Sequence, residues 1–381
     1  MTELARPRLL FVGAFPEPGR QIFGGHVTAC RALLESSFPR HFELDLIDST
    51  QISNPPPGLV TRLFIAARRF CQFLWRFERR RPDVVLLFLA IGASVVEKCA
   101  MAWYARLRGV PAVLFPRGGG LLDSAKRSPT YRRFLRIAFG GGKMVFCQSK
   151  AVQTFAIDAL GFRAEEAPVI LNWTATAELL AIGRARHPRA EGPLRLLFVG
   201  WLETPKGVLD LLEALRRLNI DRPYSIDFVG DGALAAEAAT LAGEGALRGH
   251  VRFRGWLTGA SLREAFAESD IFVLPSWEEG LPNAMIEAFA AKLAVVVTTV
   301  GGIPDVAHDG VNALLVPSRN VDELCRALAR IMADDQLRME VANAGFATAE
   351  RKFGIDAAVV KLVNGLEAAM NHRLSTFPAA S

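Results

Sequence analysis

The chain is predicted to be an α/β protein built from two doubly wound, parallel-sheet domains. Its 381 residues are too many for one ordinary hydrophobic core. Short runs of Leu, Val, Ile and Phe recur along it, each followed by a turn signal and then a helix-spaced pattern. That rhythm stops once, in the polar stretch AIGRARHPRAEGP from Ala181 to Pro193, and then restarts.

In chain order, LLFVGAF, FELDLID, DVVLLFLA, AVLFPRG and MVFCQS read as the strands of a first Rossmann-like domain over residues 1–172. Residues 173–192 are expected to be a linker. LRLLFVGW, YSIDFVGDG, VRFRGWL, DIFVLPS, AVVVTT and NALLVP give a second sheet of the same type over 193–352. Residues 353–381 contain a helical pattern, Phe353 to Met370, that can cross back to the first domain. Two such domains are expected to bring the carboxyl ends of their sheets around a central cleft, where ligands of α/β proteins bind.

Composition narrows the function. A hydrophobic fraction of 51%, 22% charged residues and a mean hydropathy of +0.22 describe a globular chain at the apolar end of the range, which argues against disorder. The longest uncharged apolar segment, Val84 to Val96, falls short of the roughly 20 residues that a membrane-spanning helix needs. The N-terminal apolar run leads into a Gly/Pro-rich loop, unlike a signal peptide, so a cytoplasmic protein is expected. The five cysteines are scattered without a C-x-x-C pair, and no metal-ligand spacing is present. No metal or cofactor is expected. The net charge of +6 is uneven: residues 1–172 carry 24 Lys and Arg against 13 Asp and Glu, and the remainder is acidic. The two halves therefore face different partners.

Three segments of the second half point to chemistry. EEGLPNAMIEAF places Glu279 and Glu287 around a helix start, between two apolar runs that read as buried strands. A carboxylate in such surroundings is costly unless something polar compensates it, so the placement asks for a ligand. Pro282 suits the first helical position, and the amides of Gly280, Leu281 and Asn283 would form a small anion or hydroxyl site. The bland alternatives are that Glu279 caps the helix and Glu287 is a solvated surface residue. In LLFVGWLETPKGVLDLLEAL, Lys206 and Gly207 lie in a strand-to-helix loop, where lysine can meet a diphosphate as a point charge. In TTVGGIPDVAHDG, Gly301 and Gly302 end a strand with amides towards the cleft, or simply make a tight turn.

Together and in this order, these segments resemble the donor half of group 1 retaining glycosyltransferases of the GT-B fold. The E-x7-E motif of that family matches at Glu279 and Glu287 within PSWEEGLPNAMIEAFAA. The resemblance implies that Glu279 touches the donor sugar, Glu287 the ribose of a sugar nucleotide, and Lys206 the diphosphate. Two departures stand out: Trp201 occupies a position where many relatives carry arginine, and Asp305 replaces a common glutamate.

In the first half, the resemblance implies that the glycine pair Gly24 and Gly25 in PEPGRQIFGGHVTAC lets the backbone approach the donor phosphate. His26 follows directly, as fit for a structural role as for a functional one. The family's mid-domain histidine has no counterpart in VLFPRGGGLLDSAK. Arg117 is the candidate to replace its charge stabilisation, with a structural salt bridge as the alternative. The segments Arg62 to Asp83 and Lys126 to Lys143 mix arginine with aromatic and aliphatic residues at helical spacing. Such helices suit an anionic membrane surface, although a core-facing helix with a solvated basic face has the same composition. No nucleic-acid recognition motif is present.

The reaction expected from the resemblance moves a hexosyl unit, with retention, from a nucleotide-diphosphate sugar to an acceptor hydroxyl. The acceptor is expected to be a lipid-linked glycan in polysaccharide, exopolysaccharide or lipopolysaccharide synthesis, at the inner face of the cytoplasmic membrane. The rival readings are a sugar-nucleotide epimerase of the same architecture and a non-catalytic sugar-nucleotide-binding protein.

Overall fold

A computed structural model describes residues 6–16, 24–50, 58–90, 92–187 and 192–371. The tip of the first glycine-containing loop (17–23), part of the expected linker (188–191) and the tail beyond 371 lie outside the described residues. The chain divides into two compact units, Met1–Leu171 with Ile355–Ser381, and Asn172–Gly354.

The first unit is a five-stranded parallel sheet of β1 (Arg8–Gly13), β2 (Glu43–Asp48), β3 (Val84–Leu89), β4 (Ala112–Pro116) and β5 (Met144–Val145), in the order β2-β1-β3-β4-β5. Its helices are α1 (Gly25–Glu35), α2 (Leu59–Arg79), α3 (Ala93–Leu107), α4 (Gly120–Arg127), α5 (Pro129–Phe139) and α6 (Lys150–Phe155). The central strands are buried on both sides, so they read as continuous apolar runs rather than alternating ones. Alternation still sorts their side chains. Leu10, Val12, Val85, Leu87 and Leu114 join Phe73 and Phe77 of α2, Met101 of α3 and Leu135 of α5 in one core cluster. On the opposite face, Phe11, Phe88, Phe115 and Phe146 form an edge-to-face ladder across the sheet, with centroids 4.8, 5.2 and 5.6 Å apart.

The second unit, beginning at Asn172, takes in the whole segment expected to be a linker. There, α7 (Ala177–Ala185) is capped by the Thr176 hydroxyl, which accepts from the Leu179 amide at 3.4 Å. Just beyond it, the Arg186 guanidinium donates to the carbonyls of Ala291, Ser269 and Phe266 at 2.8, 2.6 and 2.7 Å. A polar composition therefore hides a packed helix: its arginine satisfies carbonyls that helix ends leave without partners.

Six parallel strands follow: β6 (Leu194–Val199), β7 (Tyr224–Val229), β8 (Val251–Gly255), β9 (Ile271–Leu274), β10 (Ala294–Thr298) and β11 (Leu314–Val316), in the order β11-β10-β9-β6-β7-β8. They are connected and followed by α8 (Val208–Arg217), α9 (Ala235–Ala242), α10 (Gly259–Glu268), α11 (Asn283–Ala290), α12 (Val321–Ala333) and α13 (Asp335–Lys352). The last helix, α14 (Ile355–Asn371), belongs to the first unit, where it packs on β3, β4 and α1.

Strand order reverses between β1 and β3 in the first sheet and between β6 and β9 in the second. At such a reversal the loops leaving neighbouring strands diverge to opposite faces and open a crevice at the carboxyl ends. Each unit thus has one position where topology alone opens a crevice.

Candidate functional site

In the second unit, the loops after β6 and β9 flank this reversal, and both carry residues singled out in the sequence. After β6 a single 3-10 turn, Thr204–Lys206, is followed by Gly207 at φ +67, where a side chain would run into the Pro275 carbonyl. The two loops are tied together by Trp277. Its amide donates to the Pro205 carbonyl at 2.8 Å and its indole N–H to the Asp210 carboxylate at 2.7 Å. The Arg319 guanidinium lies 4.3 Å over the same ring.

This framing brings Lys206 to Glu279. The lysine Nζ donates to Glu279 Oε1 at 2.6 Å, and the buried Ser276 hydroxyl donates to the same oxygen at 2.7 Å. Ser276 is held in turn by Thr298, whose hydroxyl donates to its carbonyl at 2.6 Å. Glu279 is buried and ion-paired, and the residue at the N-cap of α11 is Pro282, so the glutamate does not cap the helix. Pro282 sits one position earlier than the sequence pattern suggests, because the first helical residue is Asn283.

The glycine pair acts on the backbone. At Gly301, φ is +58 and a side chain would overlap the Glu279 carbonyl; the Gly302 amide donates to the Gly280 carbonyl at 2.6 Å. Gly302 therefore holds the Gly280–Leu281 peptide in place, and its amide is engaged by protein rather than turned to a ligand. On the other side, Asn172 Nδ2 donates to the Leu281 carbonyl at 2.6 Å and to Asn283 Oδ1 at 2.7 Å. The Thr174 hydroxyl reaches the Asn283 carbonyl at 3.3 Å. The start of α11 is thus locked by polar side chains from the segment entering the unit.

Glu287 lies one turn into α11. It is 8% exposed, so it is not a solvated surface residue, and no hydrogen bond or ion pair meets its carboxylate among the described residues. Burial raises its pKa from 4.5 to about 7. Glu279 is compensated by protein. Glu287 is not compensated among the described residues.

In the first unit, the equivalent reversal is lined by cations. Gly24, at φ 141, precedes α1, and Gly25 is its first residue. The His26 ring is hydrogen-bonded to the Arg117 backbone. Burial, followed by the charges of Arg117 and Lys98, lowers its pKa to about 3, so it is neutral. Arg117 is buried at the end of β4, with its guanidinium 5.3 Å from the centre of the Phe88 ring and 4.9 Å from that of Phe115. Burial lowers its pKa to about 10, which leaves it charged. Lys98, almost wholly buried, donates to Glu97 Oε2 at 2.9 Å, and both Glu97 oxygens accept from Arg69 Nη1 at 3.0 and 2.9 Å. Burial lowers its pKa to about 8.

Sequence reasoning missed Ser276, Trp277, Asn172 and Lys98. Ser276 and Trp277 stood three and two residues before a flagged glutamate, at a strand end where loops carry function. Asn172 and Lys98 gave no local signal. Among the described residues, no three His, Cys, Asp or Glu side chains gather where a metal ion could sit.

Comparison with known proteins agrees with the two-unit fold. The family described as "Glycosyl transferases group 1" matches residues 193–334, and the "Glycosyl transferase 4-like domain" matches residues 24–173. The chain is 31% identical over 214 residues to the lipopolysaccharide core biosynthesis glycosyltransferase LpsE of Rhizobium meliloti, a match covering 56% of this chain and 61% of LpsE. It is 27% identical over 298 residues to the putative teichuronic acid biosynthesis glycosyltransferase TuaC of Bacillus subtilis, covering 75% and 71% of the two chains. The Anabaena protein Alr3699/HepE, solved in complex with UDP and glucose, has the same fold, with a TM-score of 0.69 at 20% identity over 95% of this chain and 100% of that one. With both halves matched in order and the E-x7-E glutamates set at the topological switch point, the chain belongs to the group 1 glycosyltransferase family and has the GT-B fold.

Proposed function

We propose that the protein transfers a hexosyl unit, with retention of anomeric configuration, from a nucleotide-diphosphate sugar to an acceptor hydroxyl in the assembly of a lipopolysaccharide or another surface polysaccharide. The observation that carries this reading is the second unit's crevice, where Lys206 and Ser276 hold Glu279 and Glu287 is left unpartnered. LpsE and TuaC, named for lipopolysaccharide core and teichuronic acid synthesis, support the product class, and HepE, crystallised with UDP and glucose, supports the donor class.

In this reading the sugar hydroxyls donate to Glu279, the ribose hydroxyls donate to Glu287, and Lys206 turns from Glu279 towards the diphosphate. The bond between the anomeric carbon and the diphosphate oxygen breaks, and a bond to the acceptor oxygen forms on the same face. The acceptor proton passes to the departing phosphate. Negative charge grows on the leaving group as this happens, and Lys206 with the N-terminal amides of α11 stabilises it as it forms. No metal is invoked. We assign Gly24, Gly25 and Arg117 of the first unit to phosphate charge as well.

The test is incubation with a panel of sugar nucleotides, with and without a lipid-linked glycan acceptor. Nucleotide release and the anomeric configuration of the product by proton NMR are the readouts. Acceptor-dependent release with a retained product is expected. An epimerised donor without release, or donor binding without turnover across the panel, would replace this reading with an epimerase or a binding protein.

A further inference from the structure

Helices α2, α3 and α5 lie side by side on one face of the first sheet, since all three contribute to the same core cluster and α3 touches both others. Their inner sides are accounted for by that core. Their outer sides are unusual. Among the described residues thirteen large hydrophobic side chains are exposed, and nine of them are on these three helices.

On α2, Phe73 and Phe77 point into the core, whereas Val60, Leu63, Phe64 and Trp75 recur at helical spacing on the opposite side, with Phe64 70% exposed. Trp103 and Leu107 continue the outer face on α3, and Ile137 and Phe134 on α5, where the Trp103 indole N–H donates to the Ile137 carbonyl at 3.1 Å. Exposed apolar side chains gathered in this way on one layer of helices mark an interaction surface.

Its charge selects the partner. Five arginines lie on α2, three on α5 and Arg106 on α3, against Glu78 and Glu97, while Lys98 of α3 is buried and adds nothing to this face. Both glutamates are already neutralised, Glu78 by Arg108 and Glu97 by Arg69 and Lys98. Arg68, Arg132 and Arg133 are exposed and make no ion pair among the described residues. Two of the basic side chains lie over the exposed tryptophans, Arg79 at 5.1 Å from Trp75 and Arg106 at 5.5 Å from Trp103. Aromatic rings beside arginines fit the boundary of a bilayer, where the ring enters the acyl region and the guanidinium meets headgroup phosphate. No helix among the described residues is long and apolar enough to cross a membrane.

We propose that the outer face of α2, α3 and α5 docks on an anionic phospholipid surface. The proposal stands on this face alone and does not depend on the catalytic reading. The test is sedimentation of the full chain with vesicles of phosphatidylcholine alone or mixed with phosphatidylglycerol. Salt-sensitive binding to the mixed vesicles only is expected. The triple variant Phe64→Gln, Trp75→Gln, Ile137→Gln and the triple variant Arg68→Gln, Arg132→Gln, Arg133→Gln should each bind at least tenfold more weakly. Both should keep the parent's circular dichroism and its binding of sugar nucleotide or, if it has none, its thermal melting profile. Absence of vesicle binding, equal binding to neutral vesicles, or a dimer in solution that the first variant dissolves would overturn the proposal, the last by showing that a second copy covers the face.

Discussion

The two sheets open their crevices at equivalent places, yet line them with opposite chemistry. Where the first sheet reverses, Arg117, Lys98 and a neutral His26 meet at the end of an aromatic ladder. Where the second reverses, Glu279 is paired with Lys206, and Glu287 lies buried one turn into α11. The same topology therefore supplies a place but not a function. What differs is how the buried charges are compensated: Glu279 is matched by Lys206 and Ser276, while Glu287 is desolvated with no partner among the described residues.

The largest effect that would test this contrast is on turnover. Lys206→Met should lower kcat by about 10²- to 10³-fold, the range for losing one charge-stabilising donor. Arg117→Ala in the first unit should cost roughly tenfold, mostly in KM, if it positions phosphate through uniform binding. Unchanged turnover in Arg117→Ala would remove that residue from the reaction and make the first crevice structural.

Stability against pH offers a second handle. The Glu287 carboxyl rises on folding from 4.5 to about 7. Its neutral form favours the native state, an advantage complete below pH 4.5 and lost as pH rises through about 7. Glu287→Gln should therefore gain up to about 3 kcal/mol over the parent between acid and mildly alkaline pH, read by urea denaturation without donor. Lys98 should show the reverse. Its pKa falls from 10.5 to about 8, so the folded state is favoured fully above 10.5 and loses that advantage as pH drops through 8. Lys98→Met, with Glu97 still held by Arg69, should gain stability of similar size at neutral pH and lose the gain in strong alkali. Parallel pH slopes for the two variants would mean that the crevices are not electrostatic opposites.

The smallest effect is at the tie between the loops. Trp277→Phe keeps a ring beneath Arg319 but loses the indole bond to Asp210, a change of about 1 kcal/mol. Its signature should be a raised KM with kcat nearly intact, measured with saturating acceptor.

Much of this architecture was legible in the residues themselves. The strands are short apolar runs whose burial leaves little freedom in how they are read, and two glutamates beside such runs stood out as unmatched charges. The exceptions share a physical cause. Helix α7 was hidden because its order comes from Arg186 reaching carbonyls of residues 80 to 105 positions away, which no local pattern encodes. The Lys206–Glu279 pair spans 73 residues and depends on strands β6 and β9 being neighbours, a fact of topology. Gly301 and Gly302 stand out in the sequence as amides turned towards a cleft or as a tight turn, but only the fold shows that Gly301 abuts the Glu279 carbonyl and Gly302 donates to that of Gly280. The outer face of α3 was overlooked because its arginines are few, and its neighbours supply the rest.

Gly365 of α14 lies where any side chain would strike the Phe146 ring, so this helix fits closely over the aromatic ladder, yet it is separated from the rest of its unit by the whole of residues 172–354. On a ribosome, the second unit emerges as one continuous piece and can fold as it leaves the tunnel, whereas the first must hold an open apolar face until the last helix arrives. Assembly order is thus the inverse of chain order: the half translated first is the half completed last.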